Sequence, residues 1–307
     1  MNELNDFIND YLEYCKCRKR LSEKTTKAYR IDLTQYLKAI PADAAFRAEC
    51  VDDYITLLHS RYAPKSIKRK IASLKAFFKH LEYRGLLEAN PFHKIDVRFR
   101  EPKPLPKTVP FHVIQTFLAN LHQQKGLATS PFQASCRLRD IAVIELLFAT
   151  GIRISELCAL KSSDVNLDSQ VILVYGKGAK ERLIQIGNPE VVSALARYKD
   201  AFTSEIVSVG FFFVNRLKNR LSEQSVRFMI CKYTRLFGID MHITPHMFRH
   251  SFATLLLEQD VDIRYIQKIL GHSSIVTTEI YTHVSSAKQK DILVNKHPRN
   301  LMSVNGG

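Results

Sequence analysis

The sequence lacks any apolar run that approaches the roughly 20 residues of a membrane-spanning helix. Its opening stretch, MNELNDFIND, is acidic and polar, which is unlike a secretory signal peptide. We therefore expect a soluble, cytoplasmic protein with no membrane partner. Internal repeats and low-complexity segments are also missing.

Cysteine pairs of the kind that bind zinc are missing as well. The chain has six cysteines and no C-x-x-C pair. The six are scattered along the chain: Cys15, Cys17, Cys50, Cys136, Cys158 and Cys231. We interpret them as reduced thiols, several of them buried, and expect no zinc site.

Acidic side chains are scarce beside basic ones. The chain carries 45 Lys and Arg against 30 Asp and Glu, a formal net charge of +15. A surplus of this size favours a polyanionic partner, and DNA, RNA or an anionic membrane surface would each satisfy it.

What the first hundred residues do contain is a set of four amphipathic helical patterns. Apolar residues recur at helical spacing from Asn5 to Tyr14, and again after Ser22 until Pro41 stops the pattern. Two further helices are predicted over residues 48–60 and 64–84. The fold class we predict is therefore mainly α, and it starts with a four-helix domain over residues 1–97.

The fourth of these helices has a basic face opposite an apolar stripe. No acidic residue interrupts it before Glu82. A solvated surface is the ordinary interpretation of such a face, and contact with DNA is the alternative. The candidate DNA-binding residues are Lys65, Lys68, Arg69, Lys70 and Lys75.

A basic, proline-rich stretch over residues 98–110 predicts an extended linker, because closely spaced prolines prevent a helix. A second domain is predicted over residues 111–307. It opens with a helix near 111–122, and residues 123–137 are predicted to form a surface loop of unknown role. The rest is predicted to be mostly helical, with one small antiparallel β-sheet around a hairpin at 170–187.

The last quarter of the chain concentrates residues suited to phosphodiester chemistry. His246 and Arg249 stand three apart in a helical pattern and so share one face. His272 follows an apolar helix, and Tyr281 lies nine residues further on. Arginine can bind two phosphate oxygens, histidine can transfer a proton near neutral pH, and tyrosine can supply a nucleophilic oxygen.

Two upstream stretches complete the set. Arg153 follows a glycine turn in ATGIRISEL, with Glu156 three residues on and on the same side of the next helix. In VILVYGKGAKERLIQI, Lys177 lies between Gly176 and Gly178 at the tip of the predicted hairpin.

These residues, in this order and spacing, resemble the catalytic set of the tyrosine recombinases, the phage-integrase and Xer class. The set comprises Arg153, Lys177, His246, Arg249, His272 and Tyr281. The phrases ATGIRISEL, GKGAKERL, HMFRHSFAT and LGHSSIVTTEIYTHV each resemble a family block. The amino-terminal helices resemble the family's four-helix core-binding (SAM-like) module more loosely, and the resemblance implies that both domains close around DNA.

The resemblance also implies a reaction. The Tyr281 oxygen would attack a DNA phosphodiester, form a covalent 3′-phosphotyrosyl link and release a 5′ hydroxyl. Arg153 and Arg249 would stabilise the charge of the pentacoordinate phosphate. No ATP or other cofactor is implied, and GKGAK lacks the full phosphate-binding pattern G-x-x-x-x-G-K-[ST].

The remaining roles follow from the same resemblance. Lys177 would protonate the leaving 5′ oxygen, and His246 would accept the tyrosine proton. His272 would donate a hydrogen bond to a non-bridging oxygen, and Glu156 would orient its neighbours without touching DNA.

A metal centre is the chemical alternative, with His246, His250 and either His272 or His283 as ligands. The H-E-x-x-H glutamate is missing and Arg249 lies between the first two histidines, so we expect no metal. No cluster of carboxylates suggests a two-metal nuclease either.

Several functional questions stay open from the sequence. A type IB topoisomerase-like relaxing enzyme and a non-catalytic DNA-binding protein of the same fold are the alternatives to a recombinase. For the recombinase we expect a homodimer on duplex sites and a tetramer in the synapse, and a hetero-tetramer with a second recombinase is the alternative. Chromosome-dimer resolution and mobile-element integration or excision are not separated. The tail beyond Val284 could dock on its own domain, fray or pack into a neighbouring subunit.

Overall fold

The computed structural model describes residues 2–97, 106–176 and 181–271. The chain divides into two compact units, Met1–Lys103 and Pro104–Gly307. The predicted domain limits and the linker role of residues 98–110 stay predictions, since most of that stretch lies outside the described residues. None of the helices in the described parts is long and apolar enough to cross a bilayer.

The first unit is built from four helices, as predicted. They are α1 (Asn2–Cys17), α2 (Glu23–Ala39), α3 (Ala48–Arg61) and α4 (Pro64–Tyr83). Ser22 fixes the start of α2, because its hydroxyl accepts a hydrogen bond from the Thr25 N–H at 3.2 Å. Pro64 occupies the first turn of α4, where its missing N–H costs nothing.

The core of this unit is rich in aromatic rings. Tyr36 packs edge-on against Tyr54 and Phe78, and Phe77 packs edge-on against Tyr11. The predicted apolar stripe of α4 is buried along its whole length: Ile67, Ile71, Leu74, Phe77, Phe78 and Leu81. This stripe holds α4 in the bundle and leaves the opposite side for charged residues.

The second unit contains eight helices and three strands in its described residues. The helices are α5 (Phe111–Gln123), α6 (Pro131–Thr150), α7 (Ile154–Ala159), α8 (Pro189–Ala201), α9 (Thr203–Val209), α10 (Glu223–Leu236), α11 (Pro245–Glu258) and α12 (Ile263–Leu270). The centre of α6 is buried on every side from Asp140 to Leu147, because α5, α7, α8, α10 and α11 pack against this helix.

The sheet is small and antiparallel. Its strands are β1 (Val165–Asn166), β2 (Val171–Tyr175) and β3 (Glu181–Gln185), in the order β1-β2-β3. The β2–β3 hairpin confirms the prediction, with Val171 opposite Gln185 and Tyr175 opposite Glu181. The sequence analysis did not separate the short strand β1.

One sequence prediction is wrong. Residues 123–137 do not form one long surface loop, because α6 begins at Pro131. Ser130 caps the helix by accepting a hydrogen bond from the Gln133 N–H at 3.2 Å, and Pro131 fits the first helical turn. The polar composition of the stretch favoured a loop, and the sequence analysis overlooked Ser130 and Pro131 as a helix start.

Candidate functional site

The site is built around the turn between α6 and α7. Gly151 ends α6 in the left-handed conformation, with φ of 58°, and its N–H donates to the Leu147 carbonyl at 3.1 Å. A β-carbon at Gly151 would lie 2.6 Å from Phe252 and 2.8 Å from Leu270. Only glycine therefore fits, and the turn brings Arg153 to the start of α7.

Glu156 is the carboxylate at the centre of the site. It is buried and accepts the Arg153 backbone N–H at 3.0 Å and the Arg153 Nη1 at 2.7 Å. Arg182 binds the same carboxylate through both terminal nitrogens, with Nη2–Oε2 at 2.7 Å and Nη1–Oε1 at 3.2 Å. Burial alone would raise the pKa of Glu156, but the hydrogen bonds from Arg182 and Arg153 outweigh it and lower the pKa. Glu156 is therefore ionised at neutral pH.

Arg249 reaches the same place from α11. Thr244 caps this helix, and its hydroxyl accepts the Met247 N–H at 3.3 Å. The Arg249 side chain is almost fully buried, and it donates to the Gly151 carbonyl at 2.6 Å and to the Leu270 carbonyl at 2.7 Å. One guanidinium therefore ties α11 to the glycine turn and to the end of α12.

Arg153 contacts the same end of α12. Its Nη1 lies 3.5 Å from the Leu270 carbonyl and its Nη2 lies 3.4 Å from the Gly271 carbonyl. Arg153 and Arg249 thus share the Leu270 oxygen although they are far apart in the sequence. The structure brings Arg153, Glu156 and Arg249 together at the glycine turn and the end of α12.

The two histidines of α11 lie in different environments. His246 is exposed and precedes Arg249 by three residues, on the same helix face. His250 is partly buried; its burial and then the nearby His246 and Arg249 lower its pKa to about 4. His250 is therefore neutral at physiological pH, whereas His246 is exposed to solvent.

Three predicted catalytic residues, Lys177, His272 and Tyr281, lie outside the described residues. Their neighbours in sequence are described: β2 and β3 flank the stretch that contains Lys177, and α12 ends one residue before Gly271 and two before His272. Across the described ranges, no group of three or more histidine, cysteine or acidic side chains could hold a metal ion.

Arg182 is a site residue that the sequence analysis missed. It follows Glu181 on β3 and shares a strand face with the buried Ile184. A strand alternates its faces, so the pattern ERLIQI places an arginine in an inward-facing position. A buried cation needs hydrogen-bond acceptors or an anion beside it. An arginine at an inward-facing strand position was therefore the feature of the sequence that could have identified Arg182.

The five predicted DNA-binding residues of α4 differ in their exposure. Lys65, Lys68, Arg69 and Lys75 are exposed. Lys70 is not, so its grouping with these residues is corrected. Its side chain is 4% exposed, and its Nζ lies 3.1 Å from the Asp32 carboxylate.

Comparisons with known proteins decide the family. The model of the phage integrase family matches residues 108–288, and that of the phage integrase N-terminal SAM-like domain matches residues 8–85. The chain belongs to the phage integrase family of tyrosine recombinases. It is an enzyme that breaks and rejoins DNA in site-specific recombination, which confirms the predicted family, enzyme class and fold.

Relatives of the recombinase match along nearly their whole length. A tyrosine recombinase of Agathobacter rectalis is 56% identical over 301 residues, which cover 97% of this chain and 98% of the relative. Tyrosine recombinase XerD of Listeria innocua is 33% identical, with coverage of 96% of this chain and 100% of the relative.

Solved structures show the same fold. XerH site-specific recombinase bound to palindromic difH substrate matches with a TM-score of 0.73 at 21% identity, over 92% of this chain and 83% of that chain. XerA recombinase matches with a TM-score of 0.54 at 28% identity, over 96% of this chain and 99% of that chain.

Proposed function

We propose that Arg153 and Arg249 bind the scissile phosphate of duplex DNA and that the Tyr281 hydroxyl attacks it. The observation that carries this assignment is that both guanidinium groups contact the Leu270 carbonyl, Arg249 at 2.7 Å and Arg153 at 3.5 Å. Two guanidinium groups that share one acceptor are close enough to share one phosphate. Arginine suits this role because its planar fork matches phosphate oxygens.

The charge balance of the cluster supports binding of an anion. Arg153, Arg182 and Arg249 carry three positive charges, and Glu156 carries one negative charge. The surplus lies in a largely buried setting, where charges interact more strongly than they do in water. The arginines are already held in place, so they can stabilise the pentacoordinate phosphate without reorganisation.

The proton transfers are assigned to residues of the predicted set. A tyrosine has an ordinary pKa of about 10, so the attacking oxygen must lose a proton as it bonds to phosphorus. His246 accepts that proton. Lys177 donates a proton to the 5′ oxygen as its bond to phosphorus breaks, and His272 donates a hydrogen bond to a non-bridging oxygen.

The product is a 3′-phosphotyrosyl link and a free 5′ hydroxyl. One phosphoester replaces another, so no ATP is consumed. A 5′ hydroxyl from a second duplex then displaces Tyr281, which returns the proton to the tyrosine and joins the strands. Glu156 orients Arg153 and has no contact with DNA.

Binding of the duplex is assigned to the basic face of α4 and to the linker over residues 98–110. Lys65, Lys68, Arg69 and Lys75 contact phosphates, which position DNA without reading its sequence. Two copies bind one recombination site, and four copies exchange strands in a synapse at the chromosome in the cytoplasm. The near-complete match to XerD and XerC proteins supports a simple Xer-like recombinase, alone or with a second recombinase.

The test starts with a library of nicked duplexes of random sequence, which trap a covalent intermediate. DNA that stays attached to the protein after denaturation identifies the target site. Two copies of that site are then placed on one plasmid. The expected result is recombined product from two sites, no adduct with Tyr281→Phe, and no relaxation of a one-site supercoiled plasmid. Relaxation without recombination would favour a topoisomerase, and failure to form any adduct would favour a non-catalytic DNA-binding protein.

A further inference from the structure

Arg182 occupies a position where a charged side chain needs a specific reason. It lies on β3 opposite Val174, on the strand face that also buries Ile184. Its side chain is only 11% exposed. An ionised group in such a position is costly unless hydrogen bonds satisfy it.

Its hydrogen bonds reach two other elements. Nη1 and Nη2 bind the two oxygens of Glu156 on α7, at 3.2 and 2.7 Å. Nε donates to the Ile269 carbonyl of α12 at 2.9 Å. One side chain therefore connects β3, α7 and the carboxyl-terminal end of α12.

The Arg182 side chain packs directly against Gly271, the residue that follows α12. A β-carbon at Gly271 would lie 2.9 Å from the Arg182 Nη1 and 3.1 Å from its Cδ. Gly271 also has φ of 66°, which disfavours any other residue. The carbonyls at the end of a helix carry partial negative charge, so a guanidinium there is favourable.

Three arginines divide these last carbonyls among them. Arg182 binds the Ile269 oxygen, Arg249 the Leu270 oxygen and Arg153 the Gly271 oxygen. Arg153 and Arg249 are assigned to the phosphate, whereas Arg182 turns both terminal nitrogens towards Glu156. Arg182 therefore contacts Glu156 and the end of α12, and it is not assigned to the phosphate.

We propose that Arg182 is a positioning residue of the recombination reaction. It connects the end of α12 to the Glu156 carboxylate, which orients Arg153. From the end of α12 the chain continues directly to His272 and then to Tyr281. Arg182 also lies on β3, the strand that follows Lys177 in the sequence. This inference rests on the function proposed above.

The two-sided contact depends on the shape of the guanidinium. Lysine keeps the charge but places it at one point, so it cannot bind both oxygens of Glu156 and the Ile269 carbonyl together. Arg182→Lys is therefore the diagnostic variant. Arg227→Lys is its matched control, because Arg227 makes an exposed ion pair with Glu223 at 3.0 Å on α10.

Three quantities are measured for the native protein and both variants. They are the rate of adduct formation on the nicked duplex recovered by the selection above, the affinity for that duplex, and hydrogen exchange of the amides of residues 268–271. Rates are expressed per folded molecule, from the circular dichroism of each preparation. Small misplacements of reacting groups cost up to about 100-fold in rate, so Arg182→Lys should slow adduct formation by about 10- to 100-fold. Affinity should change less than about twofold, and amide exchange should be faster at the end of α12.

Each other outcome overturns a defined claim. An unchanged rate per folded molecule for Arg182→Lys, or a loss equal to that of Arg227→Lys, would show a structural role only. Unchanged amide exchange would show that Arg182 does not hold α12. If the native protein itself forms no adduct, the proposed function fails instead, while the exchange measurement still tests the contact between Arg182 and α12.

Discussion

Two buried carboxylates, one in each unit, hold pairs of cationic side chains in different ways. Asp32 on α2 binds Arg69 and Lys70, which both belong to α4. Glu156 on α7 binds Arg153 beside it and Arg182 from β3. The first cluster joins α2 to α4. The second joins α7, which begins directly after Arg153, to β3, which follows Lys177 in the sequence.

The two clusters differ in what their cationic side chains bind besides the carboxylate. Lys70 completes its contacts inside the first unit, with the Gln35 side chain and with the face of the Tyr62 ring at 4.7 Å. The arginines around Glu156 extend instead to backbone carbonyls at the end of α12. We conclude that the same chemistry serves the stability of a bundle in one unit and the arrangement of a site in the other.

The largest expected effect comes from removing the first carboxylate. Asp32→Ala leaves Lys70 as a buried charge without its anion, which should cost about 3 to 5 kcal/mol of unfolding free energy. Urea denaturation measures this change. Asp52→Ala, at an exposed position of α3, is the control and should change stability by less than about 0.5 kcal/mol. Equal effects of the two variants would show that the Asp32 cluster does not stabilise the bundle.

A smaller effect is expected at the end of α12. Gly271→Ala should cost about 1 to 2 kcal/mol for the left-handed backbone, with an added cost because its methyl group meets Arg182. Gly210→Ala is the matched control, since Gly210 ends α9 with φ of 74° and has open space around it. Thermal melting should show the larger loss for Gly271→Ala. A larger loss for Gly210→Ala would contradict the close contact with Arg182.

The pH dependence of stability provides a second test of the site region. His250 has a pKa of about 4 when folded and an ordinary pKa of 6.5 when unfolded, so the unfolded chain binds the proton first. Its contribution to stability is complete above about pH 6.5 and is lost as the pH falls towards 4. His250→Gln should therefore flatten the decline of melting temperature over this interval. An equally steep decline in the variant would show that His250 is not the titrating group.

The smallest effect separates the exposed lysines of α4 from the buried one. Lys65→Ala should weaken duplex binding and reduce the slope of log affinity against log salt by about 1, with little change in stability. Lys70→Met should do the reverse, lowering stability at an unchanged salt slope. Fluorescence anisotropy over a salt series measures both slopes. A reduced slope for Lys70→Met would mean that Lys70 contacts DNA after all.

The sequence predicts the fold well where a strong apolar period coincides with a capping residue. The α4 stripe and the Ser22 cap are examples, since both depend on neighbours within a few residues. Lys70 was grouped wrongly although it lies on the apolar stripe, three residues after Ile67 and four before Leu74. Its partner Asp32 is 38 residues away, so no local pattern shows the pair.

For the site, the sequence identifies the residue types but not their connections. Arg153, Glu156 and Arg249 were expected to act together, and their chemistry alone suggests a phosphate. The role of the α12 carbonyls could not be predicted, because backbone atoms are the same in every sequence. Arg182 was missed for a related reason, since its partner on α7 becomes its neighbour only in the folded chain.

The central claim is that the tyrosine at position 281 attacks DNA held by Arg153 and Arg249. The most direct test is to digest the covalent adduct and locate the attached nucleotide by mass spectrometry. The account predicts one modified peptide, with the nucleotide linked through its 3′ phosphate to the Tyr281 oxygen, and no such peptide from Arg249→Ala. A nucleotide on another residue, or a normal yield of adduct from Arg249→Ala, would contradict it.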